Sequence, residues 1–271
     1  MERAVHAAAA SLFCVLFPAD CRICRSALTK ISNLPVCDVC LDRIVSLDGT
    51  LCSVCGEKLL GGRFAGDPAP LCELCRRATP RFRKAVAYGA YEGALRDLLH
   101  VFKYQRIRSA SPLLGRFLSQ AIAGGGIAGP LLLIPVPLAP GKQRTRGFNQ
   151  AAEIARAFTR LQPVGSIQLD TASLVRIRET VSQTGLTRHQ RQANLRGAFA
   201  VTRPEKLCGK KILLVDDVMT TGATAGECAR ILLRAGASEV FVATVARATR
   251  EAESMLARAA GAFSGGTTGH A

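Results

Sequence analysis

An open α/β fold with a mainly parallel sheet, preceded by a small cysteine-rich domain, is what this sequence predicts. Three observations carry that expectation. Residues 211–247 read KILLVDDVMTTGATAGECARILLRAGASEVFVATVAR, a strand–turn–helix–strand unit. Residues 131–136 form another short apolar run, which leads through PLAP into the basic stretch GKQRTRGFNQ. Four CxxC pairs lie ahead of both, within residues 20–76.

In the first stretch, residues 212–215 are unbroken and apolar, as suits a strand covered on both faces. Asp216 and Asp217 are expected where that strand ends. Met219, Thr220, Thr221, Gly222, Ala223 and Thr224 then make a small, hydroxyl-rich turn before a helix expected over about 225–234. Gly236 is a natural stop for that helix, and residues 240–245 start a second buried strand. Polar chemistry therefore gathers at the carboxyl end of a strand, where open α/β sheets bind ligands. A Thr/Gly turn that opens a helix offers N–H groups, hydroxyls and the positive end of a dipole to one phosphate. Two acids beside it repel that phosphate, but suit sugar hydroxyls or the outer shell of a magnesium ion. Together they describe a ribose 5-phosphate. No GxxxxGK[ST] is present, so the nucleoside-triphosphate P-loop is excluded. The plainer alternative is that these Asp and Thr residues only cap a strand and a helix.

Lys142, Arg144 and Arg146 are expected in a loop that opens a helix over about 149–159. Three cations before a helix make a second, larger anion site, of pyrophosphate size, or simply a solvated basic loop. Residues 85–88 and 172–177 are further candidate strands. Residues 91–102 carry Leu95, Leu98, Leu99 and Phe102 at helical spacing, a core-facing stripe, and residues 111–122 continue as a helix halted by three glycines. Beyond residue 177, ETVSQTGLTRHQRQANLRGAF shows no strand period and suits a mobile flap that excludes water. Arg176, Arg178, Gln183, Thr184, Arg191 and Asn194 are its candidate ligand contacts, each equally readable as an ordinary surface residue.

Cys21/Cys24, Cys37/Cys40, Cys52/Cys55 and Cys72/Cys75 form the four CxxC pairs. Each pair can supply one edge of a tetrahedral metal site, and two pairs close a site with no open position. The simplest arrangement is sequential, with the first four thiolates on one Zn²⁺ and the last four on another; a crossed arrangement, one site lost, or an iron–sulfur cluster stays open. So short and apolar-poor a segment would need its metal to fold. Disulfides would suit an exported chain, but residues 7–17, apolar as they are, lack a convincing cleavage site and are expected to be a short amphipathic helix. A cytoplasmic location follows as the expectation, and no apolar stretch reaches the roughly 20 residues of a membrane span. Cys14, Cys208 and Cys228 are read as incidental thiols, and His100 as a structural histidine.

The chain has 271 residues and a formal net charge of +16. Eight thiolates on two Zn²⁺ carry −4, which leaves about +12. An anionic partner is implied, whether phosphate, pyrophosphate or nucleic acid. Tryptophan is absent and aromatics make up 5%, poor material for a dedicated single-strand stacking platform. The expected units are an N-terminal helix over 1–19, paired ribbons over 20–78, an α/β domain over 79–250 and an extension over 251–271, disordered at its end.

VDDVMTTGAT resembles the phosphoribosyl-pyrophosphate (PRPP) motif of type I phosphoribosyltransferases. That resemblance implies that Asp216 and Asp217 hold the ribose 2- and 3-hydroxyls, that Thr220 to Thr224 hold the 5-phosphate, and that Lys142, Arg144 and Arg146 hold pyrophosphate. Taken with the cysteine segment, YEGALRDLLHVFKY, PVPLAPGKQRTRGFNQ and VRIRETVSQTGLTRHQRQANLRGAF, the chain is similar to the ComF family from about residue 11 to 247. The family implies a double zinc ribbon joined to a phosphoribosyltransferase-like domain, PRPP with Mg²⁺, and a part in natural competence. It leaves two activities open: phosphoribosyl transfer to an unknown acceptor, or a sensing module that binds PRPP, single-stranded DNA or DNA-uptake proteins.

Overall fold

The computed structural model describes residues 19–30, 32–60, 64, 66–164, 167–179 and 188–248. The helix expected over 7–17, the C-terminal extension, Gln183 and Thr184 lie outside these residues. Two short helices, α1 (Asp38–Asp42) and α2 (Glu73–Arg77), each begin beside a cysteine. Then follow β1 (Lys84–Ala90), α3 (Gly93–Tyr104), α4 (Ser111–Gly124), β2 (Leu131–Pro135), α5 (Pro140–Arg146), α6 (Gln150–Arg160) and β3 (Ile167–Leu169). The chain continues through β4 (Leu174–Arg176), α7 (Arg188–Leu195), β5 (Phe199–Val201), β6 (Lys211–Met219), α8 (Ala223–Arg234) and β7 (Glu239–Arg247).

Five strands form one parallel sheet in the order β1-β7-β6-β2-β3, while β4 and β5 pair antiparallel in a separate ribbon. From β2 the chain runs outward to β3; from β6 it runs the opposite way to β7. The carboxyl ends of β2 and β6 therefore flank the point where strand order reverses, the usual ligand crevice of an open sheet.

The apolar runs explain why these two strands are central. Every residue of β2 is buried, as are residues 212–215 of β6. Alternate residues of β6 enter different cores. Leu213 and Val215 pack with Leu98 of α3, Leu118 of α4 and Ile154 of α6. Ile212 and Leu214 pack with Cys228, Ala229 and Leu232 of α8. The stripe expected on α3 is buried at Leu95, Leu98, Leu99 and Phe102, and Asn149 caps α6 through its side-chain oxygen on the Ala152 N–H, 3.2 Å away.

The cysteine segment does not stand apart. Cys21 and Cys40 belong to the first core, with Val36 and Ile44; Cys52, Cys55, Cys72 and Cys75 belong to the second, with Phe82. The two metal-type sites thus extend the cores on opposite faces of the sheet. Between them, the Leu47 N–H donates to the Tyr88 carbonyl at 2.6 Å and the Ala85 N–H to the Val54 carbonyl at 2.7 Å, along the free side of β1.

Three local expectations are corrected. Strand β6 does not end before the acids: its pairing with β2 stops at Val215, but its pairing with β7 runs on to Met219. Lys142, Arg144 and Arg146 lie in the helix α5 rather than a loop, with Pro140 starting it and Gly147 (φ 77°) ending it. The flap stretch contains a helix, α7, where no regular structure was expected.

Candidate functional site

Because β2 stops at Pro135, one side of Asp216 and Asp217 is open to the crevice. The two side chains meet different surroundings. Asp217 is 8% exposed, and its Oδ2 lies 3.0 Å from Lys103 Nζ at the end of α3. Lys103 itself is buried. Burial works to lower its ammonium, but the Asp217 charge, then Tyr91 and the hydrogen bond to Asp217, hold it above the ordinary lysine value. It is charged at every physiological pH.

Among the described residues, Asp216 has no such close cation. Its Oδ1 accepts from the Asp217 N–H at 2.9 Å. Burial, then the neighbouring Asp217 charge, push its carboxyl up to about 7, against the pull of that N–H, Lys103 and Arg146. A stability test follows. An unfolded Asp titrates near 3.9, so the folded protein holds an extra proton between about pH 4 and pH 7. Stability falls as pH rises through that window. From pH 5.5 to 7, Asp216→Asn should gain about 1–2 kcal/mol over the unsubstituted protein. Urea unfolding at both pH values measures this, and parallel curves would rule it out.

The turn after β6 runs through Thr220 and Thr221 to Gly222, whose φ of 75° lies in the left-handed region. A side chain is disfavoured there, and a Cβ would also stand 3.0 Å from Met219 Cε. Helix α8 begins at Ala223, so Ala223 and Thr224 form its first turn instead of preceding it. First-turn N–H groups have no partner within a helix; here the Ala223 N–H lies 3.4 Å from Thr221 Oγ1.

Across the crevice, α5 brings its cations near the acids. Desolvation, followed by Arg146, Arg176 and Lys103, lowers the Lys142 ammonium, and Asp217 opposes them. The Arg146 guanidinium donates to Gln150 Oε1 at 3.0 Å and lies over the exposed Tyr104 ring, 5.4 Å from its centroid. Arg144 is exposed. At the start of α5 the Gly141 N–H donates to Glu179 Oε1 at 2.8 Å, which places one carboxylate among these cations.

Arg176, at the end of β4, is held low by desolvation, while Cys228 and Asp216 oppose the shift. It therefore belongs to the Asp216 side of the crevice. Arg178 points elsewhere, donating to the carbonyls of Asn194 and Arg196 at 2.8 and 3.0 Å. It ties β4 to the end of α7, where Arg191 and Asn194 also lie. Cys228 is buried, and burial, then Asp216, push its thiol well above the ordinary value, which favours the protonated form.

The eight CxxC cysteines gather into two groups, Cys21/Cys24/Cys37/Cys40 and Cys52/Cys55/Cys72/Cys75. Within each, all sulfurs lie within 4.8 Å of one another. Cys21–Cys40, Cys24–Cys37 and Cys55–Cys72 are 3.9, 3.6 and 3.6 Å apart. Tetrahedral Zn–S bonds of about 2.3 Å require edges of about 3.8 Å, and a disulfide would require about 2.05 Å. The Ile23 and Cys37 N–H groups point at Cys21 Sγ and the Cys75 N–H at Cys72 Sγ, each at 3.4 Å, which favours thiolate. These donor sets fit zinc, in the sequential pairing.

The features define a class: a parallel, phosphoribosyltransferase-like α/β domain carrying two cysteine tetrads suited to zinc. Comparison with known proteins narrows it. The family described as Phosphoribosyl transferase domain matches residues 144–260. The chain is 31% identical over 229 residues to DNA utilization protein YhgH of Salmonella typhi, covering 83% of this chain and 95% of that one. It is 31% identical over 234 residues to Competence protein F of Haemophilus influenzae, covering 84% and 96%. With Competence protein ComFC of Bacillus subtilis it shares 26% over 207 residues, covering 74% and 79%. The chain belongs to the ComF family.

One site residue escaped sequence reasoning. Lys103 follows Phe102 directly and stands just ahead of Arg106 and Arg108, so in the sequence it reads as part of a solvated basic stretch. The only signal was its place on the flank of an apolar helix stripe, where a lysine needs a buried partner. Among the described residues, no helix is long and apolar enough to cross a membrane.

Proposed function

We propose that the crevice between β2 and β6 binds PRPP and that the protein transfers its phosphoribosyl group to an acceptor. One observation supports this most: two acids, a Thr/Gly turn and the cations of α5 share the one place where strand order reverses. Asp216 and Asp217 accept hydrogen bonds from the ribose hydroxyls. Thr220, Thr221, Gly222, Ala223 and Thr224, with Met219 seating the turn, surround the 5-phosphate. Lys142, Arg144 and Arg146 neutralise the pyrophosphate as it leaves, and Arg176 adds charge from the flap side.

As the bond from carbon 1 to pyrophosphate breaks, positive charge develops on the ring, and a nucleophile on the acceptor attacks the opposite face. The chain's contribution is orientation and charge stabilisation, with no side-chain nucleophile needed. Asp216 or Asp217 would hold Mg²⁺, which would supply positive charge to offset that of the phosphates. Buried Lys103 pairs with Asp217 at 3.0 Å and orients it.

Release of pyrophosphate from PRPP, assayed with a panel of nitrogen bases and amines, tests the activity. Turnover with one acceptor supports it, and tight PRPP binding with no turnover under any condition would reduce the site to a sensor. A second reading has its own observation. Tyr104 is exposed beside Arg146, with Arg106 and Arg108 close by on the α5 side, where they donate to the Thr145 and Gly147 carbonyls. Such an aromatic among cations suits a single strand of nucleic acid. Binding of single-stranded DNA that falls steeply with salt and ignores PRPP would favour it.

A further inference from the structure

Arg247 ends β7 with only 5% of its surface exposed. All three of its side-chain nitrogens nevertheless donate. Nη2 meets Glu57 Oε2 at 2.6 Å, and Nε donates to the Cys55 carbonyl at 3.3 Å. Nη1 donates to the carbonyls of Met219 at 3.1 Å, Ala248 at 3.2 Å and Thr220. Glu57 is equally enclosed, at 7%.

The two ends of this arrangement are distinct places. Cys55 and Glu57 belong to the turn that presents the second cysteine tetrad. That turn is itself held: Gly56 has φ 67°, its N–H donates to the Cys52 carbonyl at 2.9 Å, and a Cβ there would meet the Ala85 carbonyl at 3.0 Å. Met219 and Thr220 open the turn at the tip of β6. We propose that the Glu57–Arg247 pair is a strut through which the second tetrad sets the conformation of the phosphate turn, which makes Arg247 a positioning residue for the phosphorylated sugar. The proposal rests on the reading of that turn as a phosphate cradle.

Peptide geometry supplies the reason. A trans peptide unit is planar, with C=O and N–H pointing to opposite sides. When Arg247 takes the Met219 and Thr220 carbonyls, the N–H groups of Thr220 and Thr221 are left facing away from it. Two donors of the cradle are thereby oriented before any ligand arrives. The arginine can occupy this enclosed position because Glu57 balances its charge, and Glu57 is tolerated there because of the arginine. A guanidinium suits the task because it has five donors in a fixed plane, whereas an ammonium is a point charge with three.

The test compares ligands that read different halves of the crevice. Calorimetry on the full-length, zinc-loaded protein would use ribose 5-phosphate, which needs the turn, and inorganic pyrophosphate, which needs α5. Glu57→Gln and Arg247→Lys should each keep both zinc ions by metal analysis. Each should weaken ribose 5-phosphate at least tenfold while leaving pyrophosphate within about twofold. Should Arg247→Lys not fold, the isosteric Glu57→Gln still decides. Unchanged ribose 5-phosphate affinity in the variants, or equal losses for both ligands, overturns the strut while leaving the cradle standing. A wild-type protein that binds pyrophosphate but no ribose 5-phosphate overturns the cradle, and the strut with it.

Discussion

Asp217→Asn is expected to lower stability by about 3–5 kcal/mol and to remove measurable PRPP binding. The size follows from burial. Lys103 and Asp217 are 3.0 Å apart with side chains each 11% exposed, and loss of one member of an enclosed ion pair strands the other's charge away from water. Lys103→Met should cost a comparable amount for the same reason. The doubly substituted Lys103→Met, Asp217→Asn protein has no stranded charge and should recover most of that stability, but no binding. Denaturant unfolding of the four proteins, with calorimetry on each, separates the two roles. If both losses proved additive in the double variant, the pair would not be acting as a unit; if Asp217→Asn bound PRPP normally, the assignment of the acids to the ribose would fall.

Metal release should occur in two steps separated at least tenfold in rate. In the first tetrad Cys24 is exposed and Cys37 half-buried, whereas all four cysteines of the second are buried. A chelator can approach the first sulfur set directly, but reaches the second only after local opening. A chromogenic chelator mixed with the protein should therefore show one fast and one slow equivalent of zinc. Cys24→Ser should hold one zinc and show the slow step alone. Two equal rates, or a visible iron–sulfur absorbance in the purified protein, would contradict this assignment.

What could be seen in the sequence was short-range. Residues 131–135 and 212–215 are strands because they are apolar throughout, and the CxxC pairs declare their chemistry by spacing alone. The turn after Met219 was visible because a small, hydroxyl-rich run ending in Gly222 breaks the apolar pattern of the strand. Two errors were local and avoidable: Pro140 and Gly147 bracket α5 as proline and glycine bracket many helices, and the polar run 188–195 is helical despite lacking an apolar stripe. The remaining features could not be found that way. Lys103 and Asp217 are far apart in the chain, as are Glu57 and Arg247, and no periodicity links them. Nor does spacing reveal that the tetrads sit on opposite faces of one sheet, since that depends on how the helices cover it.

The contacts that Leu47 and Val54 make with β1 bear on how the protein is born. A ribosome delivers the cysteine segment before the strand it borders, and delivers β7, the strand's partner on the other side, last. An unshielded strand margin is an invitation to intermolecular pairing. A nascent chain that has already captured its metal can shelter that margin while the rest of the sheet is awaited. In a zinc-starved cell the first failure to expect is therefore sticky, half-made protein rather than a weakened active site.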